Sequence, residues 1–93
     1  MASQAKIGTH KTTIKTVDKY MVVTYHSTDI VKFNDQEIIL NSGGWLSATT
    51  KSRMNQTANQ FDLGYRVIQK DYEWFINFNG RRIKFYDNIT LKR

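Results

Sequence analysis

Asn79-Gly80 is the feature that most constrains what this chain can fold into. An Asn-Gly pair accepts positive φ at both central positions of a two-residue turn, and that backbone twist matches the right-handed twist of two flanking strands. The neighbouring residues carry the alternation that a hairpin needs, Glu73 to Phe78 before the turn and Arg81 to Phe85 after it. So short a loop fixes the register. Phe78 should pair with Arg81, Asn77 with Arg82, Ile76 with Ile83, Phe75 with Lys84 and Trp74 with Phe85. Because side chains alternate across a strand, Trp74, Ile76, Ile83 and Phe85 share the core face. Phe75, Asn77, Arg82, Lys84 and Tyr86 share the other, an aromatic and basic mixture on the side that should meet water.

The same strand signal runs through the first half of the chain. Thr12 to Val17, Tyr20 to Tyr25, Asp29 to Phe33 and Glu37 to Leu40 are short segments rich in Thr, Val, Ile, Tyr and Phe, separated by polar clusters too short for parallel crossovers. Asn41-Ser42-Gly43-Gly44 then breaks the pattern. A helix follows, capped by Ser47 or Thr49, with Met54, Ala58 and Phe61 at i, i+4 and i+7 on one stripe and Gly64 just past its end. Trp45 is expected to lie against the core beside the glycine turn. Tyr65 to Gln69 reads as the strand that precedes the Asn79-Gly80 hairpin, and Ile89 and Leu91 are placed to begin a last short strand. The expected fold is α+β, a mainly antiparallel sheet or partly open barrel with one helix, in the order ββββαβββ. Residues 1–10 hold few large apolar groups and no period and read as a mobile N-terminal arm, which leaves 11–93 as a single domain.

Composition narrows the chemistry. None of the 93 residues is cysteine, so a disulfide framework, a thiolate metal site and a cysteine nucleophile are all excluded. Two histidines cannot make a zinc site without carboxylate help, and neither a metal nor a cofactor is expected. Apolar runs such as Met21 to Val23 and Ile38 to Leu40 fall far short of the ~20 residues needed to span a bilayer, and the N-terminus lacks a secretory signal, so a cytoplasmic protein without membrane contact is expected.

The formal charge of +6 is unevenly spread. Residues 29–50 hold one Lys against three acids, whereas 1–28, 51–70 and 71–93 each carry a basic excess, placing positive charge on the arm, the helix region and the last hairpin. Such surfaces attract phosphate chains by counterion release, and exposed aromatics among them stack bases. The candidate nucleic-acid-binding residues are therefore Arg53, Arg66, Phe75, Asn77, Arg82, Lys84 and Tyr86. The helix adds an almost uncharged polar face in which Asn55, Gln56, Asn59 and Gln60 could read base edges in a groove or contact a protein partner. His26 with Ser27 and Asp29 is the nearest thing to a catalytic constellation, but neighbours in a strand point to opposite faces and these residues carry turn chemistry, so no enzyme is expected.

Leu40-Asn41-Ser42-Gly43-Gly44-Trp45, Thr49 to Gln56, Leu63 to Lys70 and Glu73-Trp74-Phe75 together resemble small bacteriophage-encoded proteins of uncharacterised role, a likeness covering roughly residues 20–90. The resemblance implies expression inside an infected bacterium, where small phage proteins handle nucleic acid or disable a host factor. Two functions are consistent with both lines of reading. One is a non-enzymatic nucleic-acid-binding module that uses the basic and aromatic sheet face. The other is an accessory protein that binds and inhibits a host defence or replication factor. Exposed edge strands also suit a homodimer formed by sheet extension.

Overall fold

The computed structural model describes residues 11–44 and 46–93, so the expected N-terminal arm and the expected placement of Trp45 lie outside the described residues. The elements are β1 (Thr12–Val17), β2 (Tyr20–Tyr25), β3 (Thr28–Phe33), β4 (Glu37–Leu40), α1 (Ala48–Phe61), β5 (Tyr65–Lys70), β6 (Glu73–Phe78), β7 (Arg81–Lys84) and β8 (Ile89–Lys92). The fold is α+β, with one helix and antiparallel strands in two open sheets rather than a closed barrel. The larger sheet has the order β1-β2-β3-β4-β8 and the smaller one the order β5-β6-β7.

Three of the hairpins are built on two-residue turns in which both residues have positive φ: Asp18-Lys19, Asp71-Tyr72 and Asn79-Gly80. The last has the sequence signature of such a turn, and its register is the expected one from Phe78↔Arg81 to Phe75↔Lys84. Phe85 N–H then donates to Trp74 C=O at 3.0 Å, extending the pairing by one step beyond β7. The other two turns rely on Asp at the first position, whose short carboxylate tolerates the left-handed region, and force Lys19 and Tyr72 to follow it there at φ 70°. Gly43 meets a different demand: at φ 68° a Cβ would stand 2.5 Å from the Thr28 hydroxyl oxygen, so the loop after β4 can lie against β3 only without a side chain there.

Ser47 is the helix cap. Its hydroxyl accepts from Thr50 N–H at 3.1 Å, and the helix ends at Asp62, which takes the left-handed conformation two residues before the expected Gly64. The buried stripe is Thr50, Met54, Thr57 and Ala58, with Phe61 half-buried and its ring 5.0 Å from that of Phe33. Thr57 was not expected inside. Its hydroxyl donates to Arg53 C=O at 2.8 Å, which satisfies the one polar group that burial would otherwise strand.

Both sheets and the helix share one core. Val23, Ile30, Val31, Phe33, Ile38, Leu40, Ile89 and Leu91 from the larger sheet meet Tyr65, Val67, Trp74, Ile76 and Phe78 from the smaller and Met54 and Ala58 from α1. Ile83 and Phe85 pack against this cluster half-buried, Phe85 with its ring 5.4 Å from that of Trp74. A β-bulge between Val23 and Thr24 places both Ile30 and Val31 inside, which strict alternation would not allow. Outside the strands, Ser42 ties the loop after β4 to the β7–β8 connection by donating its N–H and its hydroxyl to Asp87 Oδ1 at 2.8 and 2.7 Å. No helix among the described residues is long and apolar enough to cross a membrane.

Candidate nucleic-acid interface

The outer face of β5-β6-β7 gathers most of the expected residues in two rows. Arg66, Asn77 and Arg82 stand side by side across the three strands, and Ile68, Phe75 and Lys84 form the next row. Phe75 and Ile68 are half-buried and make an apolar centre, while Arg66, Asn77, Arg82 and Lys84 are exposed around it. This arrangement comes directly from the pleat: the alternation that sends Trp74, Ile76 and Phe78 into the core sends Phe75 and Asn77 out.

Two contacts change the character of this face. The Arg82 guanidinium carbon lies 5.9 Å from the Phe75 ring centroid, so the aromatic is already partnered by a cation and the surface on offer is a guanidinium plane beside a ring edge rather than a bare ring. Lys84 Nζ lies 3.4 Å from Glu73 Oε2, an ion pair whose side chains are 73% and 51% exposed and which therefore contributes only about 0–1 kcal/mol to stability. Glu73 was missed by sequence reasoning, although the period of two that turns Phe75 outward turns Glu73 outward as well. Lys70, which pairs with Glu73 across the β5–β6 hairpin, was missed in the same way.

Tyr72 was missed for another reason. It occupies the second position of the Asp71-Tyr72 turn, 94% exposed at φ 70°. A bulky residue in the left-handed region costs on the order of 1–2 kcal/mol, and the sequence gives no sign that this turn takes that form. Tyr86 lies in the connection from β7 to β8 and is 62% exposed.

Arg53 is not brought to this face. Its Nε donates to Thr12 Oγ1 at 3.0 Å, its guanidinium sits 5.8 Å from the Tyr25 ring, and it reaches Gln56 Oε1 at 3.3 Å, so it braces the helix against β1 and β2. The amide face of the helix is also smaller than expected. Asn55 donates from Nδ2 to Val67 C=O at 2.9 Å and accepts Val67 N–H on Oδ1 at 2.7 Å, as an adjacent strand would. It closes the open edge of β5 and is unavailable to a base or a partner. Gln56 is half-buried, and Asn59 and Gln60 face outward.

His26 stands in the β2–β3 turn at φ 56°, its N–H bonded to Lys11 C=O at 2.8 Å and its ring set edge-on to Tyr25. Asp29 accepts from the Thr24 hydroxyl at 2.6 Å across the same hairpin. A hollow of about 450 Å3 beside them is lined by Tyr25, His26, Thr28 and Ile30 together with Ser42, Ser47 and Thr50. Two of its hydroxyls are engaged elsewhere, Ser42 donating to Asp87 and Ser47 to Thr50. No cluster of three or more His, Asp or Glu stands at metal-binding spacing among the described residues.

The outer face of the larger sheet is also basic but internally compensated. Lys32 Nζ lies 4.9 Å from the Tyr20 ring centroid, the Tyr20 hydroxyl donates to Glu37 Oε2, and Glu37 Oε1 lies 4.0 Å from Lys92 Nζ. The hydrogen bond to Glu37 holds the Tyr20 phenol above its ordinary pKa, with burial and the carboxylate charge acting in the same direction. Tyr65, buried in the core and donating to Met54 C=O at 2.6 Å, is pushed up by burial.

This small α+β fold with one helix and a basic sheet face has a home among viral proteins: the chain matches the Kyanoviridae Gp96 protein family over residues 1–92. It belongs to that family, a group of phage proteins. No curated protein and no solved structure matches it.

Proposed function

We propose that the chain is a non-enzymatic phage module that binds nucleic acid through the outer face of β5-β6-β7. The observation that carries this reading is the pair of cross-strand rows, Arg66–Asn77–Arg82 and Ile68–Phe75–Lys84, which surrounds one aromatic with three cations on an exposed surface. Of those cations only Lys84 has an ion-pair partner among the described residues, so Arg66 and Arg82 can take phosphates without first breaking an internal bond. Asn77 stands between the two arginines with an amide suited to a base edge. The Arg82–Phe75 stack favours single strands, whose unpaired bases can lie against the guanidinium plane and the ring edge.

Retention on immobilised single-stranded DNA and RNA across a salt series tests this. Binding should weaken steeply with salt, and Phe75→Ala should weaken it by about 1–3 kcal/mol without altering the slope, because stacking releases few ions. The absence of salt-dependent retention at low ionic strength would end the nucleic-acid reading and leave a host protein as the partner class.

A further inference from the structure

Two strand edges in this fold line one cleft, and neither is bonded to another strand among the described residues. β7 ends the smaller sheet and β8 ends the larger. The bond from Phe85 N–H to Trp74 C=O fixes the alternation along β6 and β7, so the N–H and C=O groups of Arg82 and Lys84 point away from β6. The bond from Arg93 N–H to Gln36 C=O does the same along β4 and β8, turning the N–H and C=O groups of Thr90 and Lys92 away from β4. The cleft, of about 400 Å3, is lined by Phe78, Arg81 and Ile83 from one sheet and Thr90, Leu91 and Lys92 from the other. The contrast with β5 is informative: there the outward N–H and C=O of Val67 are both satisfied by Asn55. Open edges recruit strands unless something covers them.

We infer that this cleft receives one extended strand of a protein partner, in a segment that alternates apolar and acidic residues. Such a strand would hydrogen-bond to β7 on one side and β8 on the other, continuing both sheets. Every second side chain would then point inward onto Phe78, Ile83 and Leu91, which calls for apolar residues. The others would point outward between Arg82 and Lys84 on one flank and Lys92 on the other, which calls for carboxylates. The pairs Lys84–Glu73 and Lys92–Glu37 are exposed at the lysine end and easily exchanged for a new carboxylate. A second copy of this chain fits poorly, because its own β7 or β8 would bring Arg82, Lys84 or Lys92 against charge of the same sign. A nucleic acid offers the charge but not the alternating N–H and C=O groups. The inference rests on the strand edges rather than on nucleic-acid binding by the Phe75 face, with which it shares Arg82 and Lys84.

The test uses a fluorescein-labelled peptide of four Glu-Val repeats, blocked at its C-terminus, and the same peptide N-methylated at its four valines. The two carry identical charge and side chains, but the valine N–H groups of an extended strand all face one neighbour, so the second peptide cannot donate to one of the two edges and its methyl groups obstruct approach there. Fluorescence polarisation should show saturable binding of the parent peptide and weakening of at least about ten-fold for the methylated one, the loss expected from removing several hydrogen bonds. Thr90→Pro, which deletes an outward N–H at an edge where proline is tolerated, should weaken the parent peptide while leaving retention of single-stranded DNA unchanged. That split keeps failure of this inference distinct from failure of nucleic-acid binding. Equal affinity for the two peptides, with both displaced by single-stranded DNA, would overturn it by reducing the rim to polyanion attraction. So would the absence of saturable binding up to a concentration of about 1 mM.

Discussion

The two sheets present basic outer faces of opposite character. On the larger, Lys32, Tyr20, Glu37 and Lys92 form one connected chain of contacts, so the cations answer to the sheet's own phenol and carboxylate. On the smaller, among the described residues, a single carboxylate, Glu73, offsets one of the cations, and Arg66 and Arg82 face outward without one. Net charge alone would rank the two surfaces together. What separates them is whether a carboxylate occupies the row next to each cation, and that is a property of register rather than of composition.

The largest expected effect breaks the comparison if it is wrong. Replacing Arg66, Arg82 and Lys84 together with Ala should lower the slope of log affinity against log salt for single strands by about two to three units, at ~0.7–0.9 per phosphate contact. The matching triple replacement of Lys15, Lys32 and Lys92 should change the slope by less than about one unit, because two of those lysines already serve internal partners. Equal losses would mean that the sheets contribute as one diffuse field.

A second measurement asks how the smaller sheet is held. Asn55→Ala leaves both Val67 groups without their partner, so urea denaturation should show a loss of about 1–3 kcal/mol. Asn55→Asp, which keeps the acceptor and loses the donor, should fall between. A loss near zero would show that the edge of β5 is satisfied by solvent.

Tyr72→Gly sharpens the contrast between stability and binding on this side of the molecule. Glycine adopts φ 70° without strain but loses more entropy on folding, so a net gain of up to about 1 kcal/mol in unfolding free energy is expected. If Tyr72 extends the binding face, the same variant should hold single strands a few-fold less tightly; unchanged binding would confine the interface to β5-β6-β7.

The smallest effect lies at alkaline pH and concerns one tyrosine from each sheet. Tyr20 is raised by its hydrogen bond to Glu37 and Tyr65 by burial, so each holds its proton more firmly folded than unfolded. Their contributions are complete below the unfolded value of about 10 and decline as pH rises through the higher folded values. Melting temperature should therefore fall above about pH 10, and less steeply in Tyr20→Phe. An unchanged alkaline profile in that variant would assign the whole decline to Tyr65 and other groups.

The second half of the chain was largely legible from its residues. Asn79-Gly80 fixed a register that placed Trp74 and Ile76 inside and Phe75 and Arg82 outside, the stripe through Met54 and Ala58 followed from spacing, and the cap was narrowed to Ser47 or Thr49, of which the structure uses Ser47. Less was visible where long-range contacts override local pattern. No local signal divides eight strands into two sheets or pairs β8 with β4, since that partnership rests on Ile89 and Leu91 reaching the core beside Leu40 and Ile38. Asn55 looked like a surface amide because nothing in its neighbours announces that Val67 will turn its backbone toward the helix. Arg53 was misjudged on the same ground: its partners, Thr12 and Tyr25, lie far back in the chain.

The pairing of β4 with β8 has a consequence for how the protein is made. Leu40 must wait for Ile89, and at ~5–20 residues per second that wait at the ribosome lasts about 2–10 seconds, far longer than the microseconds in which a local hairpin forms. β1 to β4 can assemble early, but through that interval the Ile38-Ile39-Leu40 strand stands with one side unpaired. The larger sheet is therefore completed only once β8 has been made, and until then the nascent chain carries a transient adhesive strand that β8 later conceals.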